Sequence, residues 1–395
     1  MLSITYPIKA QHFLVENWVQ TAGIPDTIDY SASEVDGSGN VYVTTNTISA
    51  TEKANVLTTK YNSSGVLQWE VEKDNADEND YGAAIEVDGS GNVYVAAASF
   101  VNSTNKYDYL IIKYNSSRTQ QWTATYNGAG DFYDIPTDIL VDGSGNVYAT
   151  GANYGSGTLS DFCTIKYNAT GTQQWVARYD YANDQDIAAI IKQSTLGRIV
   201  VIGASENAPG SYDFAMVKYN QNSGAQLTSN RNTASGTGFD QVYGADVDAS
   251  GNIYLTGRGA VVDEGFNMKT VKVYTALNVI WSRNYDHAGL NDESHALLVD
   301  TDNNVYITGW VTIEDGTKAF ETIKYNSVGT PQWHKEEFAQ NSGLDAYALK
   351  ISATITSGII VAGNVNNGSS LDFLSVIYNT AGDRLWMEQY DSPKR

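Results

Sequence analysis

Short runs of alternating apolar and polar residues fill the chain, each bounded by glycine, asparagine or serine. Residues 80–88 (DYGAAIEVD), 92–98 (NVYVAAA), 108–115 (DYLIIKYN) and 120–126 (QQWTATY) form one set. Within the third run, Leu110, Ile112 and Tyr114 fall on one face. Period-two alternation between turn residues is the mark of half-buried strands. No ten-residue stretch carries a helical period. Each set predicts four short strands joined by GSG, a variable connection and NSS.

The set recurs. VDGSGNVY occurs at 35–42, 87–94 and 141–148, with degraded copies at 195–201, 247–254, 299–306 and 355–361. Indexed on Tyr42, Tyr94, Tyr148, Val200, Tyr254, Tyr306 and Ile360, the steps are 52, 54, 52, 54, 52 and 54 residues. TKYNSSGVLQW at 59–69 recurs in the same phase, ending at Trp122, Trp175, Thr228, Trp281, Trp333 and Trp386. A sheet of four strands cannot bury both faces alone, and a ring of such sheets does so by stacking neighbours. The reading is all-β: a seven-bladed β-propeller with four antiparallel strands per blade. Residues 1–395 are expected to form one domain, with seven repeats over about 26–390. Lys9 and Trp18 keep the spacing of Lys60 and Trp69, so residues 4–20 are expected to add an N-terminal half-unit.

The pattern D-x-A-x-x-I-x-V-D-x-x-G-N-V-Y-V-T-G followed by D-F-x-x-x-K-Y-N-x-x-G-x-x-x-W runs almost unbroken from Ile139 to Trp175. It resembles the bacterial SBBP β-propeller repeat. The resemblance implies a secreted or surface-attached bacterial protein and no particular reaction. Thr228 stands where the pattern has tryptophan, and Val273 where it has tyrosine.

Charge narrows the partners. With 45 acidic against 24 basic side chains, the net charge is −21. That disfavours nucleic acid and anionic lipid, both of which need a basic surface. No run approaches the ~18 apolar residues of a membrane helix. The first residues show no basic start followed by an apolar run, so no secretory signal is expected there. Cys163 is the single cysteine and has no internal partner for a disulfide. A monomer is expected, without a cofactor, calcium being the one ion considered.

Candidate chemistry follows from what recurs and what does not. Asp36, Ser38 and Asn40 have the alternate spacing that opens a calcium loop. The twelfth position holds Thr47 rather than an acid, so a tight turn organised by the aspartate is the preferred reading; Asp300 and Asp302 make the best exception. Asp29, Asp80, Asp134, Asp186, Asp240, Asp292 and Asp345 recur at the entry of the inner strand. They either ring the channel mouth as a cation-attracting set or cap backbone N–H groups. The phased tryptophans read as inter-blade packing. The aromatics that do not recur, Phe132, Tyr133, Tyr154, Tyr181, Tyr212 and Trp310, lie on the variable connections and are the candidate ligand contacts. His287, Asp292, Glu293 and His295 have metal-ligand types but no recognised spacing. No nucleophile elbow, phosphate loop or H-E-x-x-H motif is present. These observations favour a non-catalytic module that presents its variable face to a glycan or a surface protein. The alternatives are a polysaccharide-acting enzyme using the ring aspartates, or a structural spacer.

Overall fold

In the computed structural model the described residues are 32–48, 53–75, 78–101, 106–128, 133–154, 159–194, 197–232, 238–261, 265–338, 344–354, 358–366 and 371–390. The half-unit expected at 4–20, Asp29 and Phe132 lie outside them. The described chain folds into seven four-stranded antiparallel sheets, each taken in sequence order. The protein is an all-β, seven-bladed β-propeller. In blade 2 the strands are Asp80–Val87, Val93–Val101, Lys106–Tyr114 and Gln120–Tyr126. Among the described residues no helix is long and apolar enough to cross a membrane.

The first strands of successive blades pack side by side from Ala32–Val35 to Ala346–Ala353, so they are the innermost. Six of the seven carry a register shift against the second strand at one repeated position, for example between Gly82 and Ala84 and between Ala188 and Ile190. Such a bulge swings a carbonyl toward the partner strand. The partner residue there is therefore usually glycine. A Cβ on Gly257 or Gly309 would lie 1.9 Å from the carbonyl oxygen of Gln241 or Glu293.

The blades are joined by a repeated latch. The Trp175 indole leans on Tyr148 of its own blade and on Tyr219 of the next, with centroids 5.9 and 6.3 Å apart. Its Nε1 donates to the Gln221 carbonyl at 3.1 Å, and Lys166 Nζ donates to the same oxygen at 2.8 Å. Beneath the indole lies Gly224, where a Cβ would come within 2.7 Å of the ring. Trp122, Trp281 and Trp333 repeat these contacts on Ala169, Ser327 and Thr380. The tryptophans are thus used between blades, as their phase predicts. Cys163 is fully buried among Ala149, Ile139 and Tyr109, and burial pushes its thiol up to about 12.

The departures from the repeat meet at one joint. Blade 4 lacks the tryptophan, at Thr228, and its tyrosine position holds Val200. Blade 5 answers with Val273 for tyrosine and Leu277 for the turn glycine. Leu277 is fully buried with Val200, Ile202 and Val273. It fills the space that an indole fills elsewhere, so the substitutions do not leave two weakened blades.

Candidate functional site

The two faces of the ring differ in kind. On one, Asp36, Asp88, Asp142, Asp248 and Asp300 organise the turns between first and second strands. Asp142 accepts from the backbone N–H of Ser144 and Asn146 at 2.9 Å, from Asn146 Nδ2 at 2.8 Å and from the Tyr148 hydroxyl at 3.1 Å. Burial alone would raise its pKa, but the four donors outweigh burial and hold it below the usual value. Asp300 accepts the equivalent four bonds, one of them from the Asp302 N–H at 2.9 Å. With their oxygens engaged, these aspartates act as turn residues, and the calcium-loop reading loses its ligands.

On the opposite face, the recurrent strand-entry aspartates are sunk into the connections. Asp80, Asp134, Asp186, Asp240 and Asp292 are 0–2% exposed, and Asp345 is half-buried. Each accepts at least one backbone N–H: Asn75, Gly128, Tyr181, Ala260, His287 with Thr312, and Lys318, respectively. Asp240 also accepts from Lys269 Nζ at 2.7 Å in a fully buried pair. At the six described positions these aspartates are internal loop ties. Burial raises Asp80 and Asp186 to about 6 and Asp292 to about 7.

Other charges meet on the axis. Burial pushes Glu86 in blade 2 up to about 7, helped by Glu34 and Asp138 and opposed by Lys192 in blade 4. Asp138 in blade 3 is raised by burial and in turn interacts with Lys350 in blade 7. Non-adjacent blades meet only across the channel, so these side chains line it. Sequence reasoning missed them. For Glu86 and Lys192 a signal was present: two residues before the turn position the repeat holds Glu34, Glu86, Leu140, Lys192, Asp246, Leu298 and Ser352, varied in type at a fixed register.

The candidate aromatics separate into exposed and occupied. Tyr133 is 38% exposed and stacks on Tyr107, with centroids 6.2 Å apart and planes inclined by 25°. Lys106 Nζ lies 4.5 Å from the Tyr133 centroid. Tyr107 also contacts Phe100 at 5.2 Å and Tyr81 at 5.8 Å. These residues come from the rim of blade 2 and the entry to blade 3. Tyr181 is exposed, but Arg231 covers one face at 3.9 Å. Tyr212 is buried against Phe239 at 4.6 Å, and its hydroxyl donates to Gln185. Tyr154 is half-buried, with its N–H on the Tyr133 carbonyl.

Trp310 belongs to a second aromatic run. Its Nε1 donates to His295 Nε2 at 3.1 Å, His295 stacks on Tyr243 at 4.7 Å, and Tyr347 meets the Trp310 ring at 5.9 Å. Tyr243 and His295 are the bulged residues of blades 5 and 6. Several expected loops are also strand: in blade 4 the second strand runs to Ala208 and the third begins at Ser211. The sequence thus singled out Tyr133 and not Tyr81, Lys106 or Tyr107, which the structure places at strand ends.

His287, Asp292, Glu293 and His295 are only partly brought together. Asp292 caps backbone, Glu293 pairs with Arg258 at 2.6 Å and lies 3.5 Å from His295 Nε2, and His295 joins the aromatic run. His287 faces Glu336 instead, at 3.3 Å.

No family model matches the chain, and no curated protein does. Solved structures match at the level of fold alone. An ulvan lyase, a polysaccharide lyase bound to -[GlcA(1-4)Rha3S]-, is 11% identical with a TM-score of 0.53, covering 90% of each chain. The quinohemoprotein alcohol dehydrogenase of Comamonas testosteroni is 12% identical with a TM-score of 0.52, covering 86% of this chain and 72% of its own. The β-propeller domain of the Trilobed protease of Pyrococcus furiosus, which has an open velcro topology, is 10% identical with a TM-score of 0.51. It covers 93% of this chain and 97% of its own.

Proposed function

We propose that this propeller is a non-catalytic binding module of a bacterial extracellular or surface protein, built from SBBP-type repeats. It holds a glycan on the patch formed by Tyr81, Phe100, Lys106, Tyr107 and Tyr133. The observation that carries the reading is the stacked Tyr107–Tyr133 pair, with Tyr133 38% exposed and the Lys106 ammonium over its ring. Clustered aromatic rings with a mobile hydrogen-bond donor among them suit the C–H surface and hydroxyl groups of a pyranose. Recognition sites commonly combine aromatic walls with a few placed polar groups. The ulvan lyase is a propeller seen with a polysaccharide, a precedent for the scaffold and for nothing finer. The enzyme alternative draws its acid and base from carboxylates that already accept backbone N–H groups. Affinity electrophoresis against a panel of soluble polysaccharides, with reducing ends assayed in the same mixtures, tests the proposal. Retardation without new reducing ends is expected; new ends would overturn the non-catalytic reading.

A further inference from the structure

On the face of the strand-entry aspartates, where blade 5 meets blade 6, three groups that bind metals converge and a fourth stands beside one of them. Glu321 lies on the third strand of blade 6, Lys318–Tyr325. His334 and Glu336 lie on the fourth, Pro331–Glu337, two residues apart and so on one face. Glu321 and Glu336 are directly opposite in the register of these strands. His287 comes from the segment just after the last strand of blade 5, Val279–Tyr285. One ligand atom from each of Glu321, His334 and Glu336 lies within 4.8 Å of the others. His334 Nδ1 stands 3.4 Å from Glu321 Oε1, and His287 Nδ1 stands 3.3 Å from Glu336 Oε1.

Glu321 is the observation that separates this group from an ordinary acidic surface. Its side chain is fully buried, and neither carboxylate oxygen makes a hydrogen bond of good geometry, although the His334 imidazole and the Lys335 N–H lie near it. A buried carboxylate normally persists because donors saturate it. The strand-entry aspartates show that this fold supplies such donors where it needs them. Here it supplies an imidazole, at a distance longer than a good charged hydrogen bond. The spacing suits another arrangement. Zinc takes imidazole nitrogen and carboxylate oxygen at about 2.0–2.1 Å in a tetrahedron, which puts neighbouring donor atoms roughly 3.3 Å apart. The His334–Glu321 separation matches that edge, and His287 stands at a similar distance from Glu336 while lying outside the mutual spacing of the other three. Imidazole beside two carboxylates also favours zinc or a similar transition ion over calcium, which takes six to eight oxygens.

A second group, Asp161, Asp180 and Asp186, has comparable spacing. Its carboxylates are engaged, Asp161 by Arg178 and Asp186 by the Tyr181 N–H, and it offers no imidazole.

We propose that Glu321, His334 and Glu336 bind a divalent transition ion, zinc by donor set, and that His287 closes on it from beside Glu336, so that the ion staples blade 5 to blade 6. The Tyr285 hydroxyl, 3.3 Å from His334 Nδ1, stands beside it. An ion held only by the folded state raises stability by mass action.

The test uses the full chain, stripped with chelator and titrated with zinc or cobalt(II) alone. Expected are one equivalent bound, a rise in melting temperature, and the intense visible bands of tetrahedral cobalt(II). His287→Ala and His334→Ala each weaken binding at least tenfold, and their metal-free melting temperatures stay close to that of the stripped parent, because both imidazoles are partly exposed. Glu321→Gln abolishes the cobalt bands. Absence of binding would overturn the proposal and leave a His334–Glu321 ion pair. So would binding that survives both histidine substitutions, or cobalt bands of octahedral character.

Discussion

A single glycine decides whether the tryptophan latch closes. At Gly171, Gly224, Gly329 and Gly382 the backbone is left-handed, and the preceding blade's indole lies where a Cβ would stand. Blade 2 has Arg118 at this position, at φ +63, and Trp69 of blade 1 has no partner for its Nε1. Three substitutions follow. Gly224→Ala adds the left-handed penalty of about 1–2 kcal/mol to overpacking of roughly 1–3 kcal/mol. Gly210→Ala, at φ +77 with open space around it, incurs only the first. Arg118→Gly relieves the same strain and lets Trp69 reach a carbonyl, stabilising by about 1 kcal/mol net. Urea midpoints of the three variants should fall in that order, and equal midpoints for the two alanine variants would contradict the latch. At this scale the turn aspartates were legible, because Asp, Gly and Asn at fixed offsets have one mechanical use. Glu321 was only half legible: it occupies a register where other blades hold Leu57, Leu110, Cys163, Ala215, Lys269 and Leu374, which marks it as buried. Nothing in the register shows which groups its carboxylate faces.

Blades compensate as pairs. At the joint of blades 4 and 5, Leu277 sits at φ +66 and costs about 1–2 kcal/mol of backbone strain. Its full burial returns roughly 1.5–3 kcal/mol. Thr228→Trp alone should crowd Leu277, and Leu277→Gly alone should leave a void. Together they rebuild the latch of the other joints. A double-mutant cycle is expected to show favourable coupling of about 0.5–3 kcal/mol; strict additivity of the two midpoint shifts would refute the compensation. The seven-fold phase made the strands readable from the chain, because one alternation error cannot hide in seven copies. Bulges were not readable. They depend on a carbonyl swinging toward a glycine across the sheet, and alternation alone gives no count of the extra residue. For the same reason Tyr243 and His295 passed as ordinary inner-strand residues, although the bulge brings them together.

Over the whole molecule, the buried acids set a pH dependence. Asp80 and Asp186 are raised to about 6 and Glu86 to about 7, so the folded state binds more protons than the unfolded chain between about pH 4 and those values. Their contribution favours folding in acid and is lost as pH rises through 6–7. Asp36, Asp88, Asp142 and Asp248, held below their ordinary value against burial, act oppositely, and their contribution is lost only as pH falls below about 4. Partial neutralisation of the −21 net charge adds to the first trend. The melting temperature should therefore be several degrees higher at pH 5 than at pH 8, and a maximum at or above pH 8 would contradict the assignment. The two ring faces follow from the same organisation: one side is fixed by repeated turns, and the other is free to carry Tyr107 and Tyr133. The central claim is that this second face binds while the strand-entry carboxylates only hold it together. The most direct test is to run the polysaccharide panel with the wild-type chain and Tyr133→Ala side by side. The account predicts retardation of the wild type by at least one polysaccharide, without new reducing ends. It also predicts roughly tenfold weaker retardation of the variant at unchanged melting temperature. Equal retardation of both proteins, or release of reducing ends by either, would contradict it.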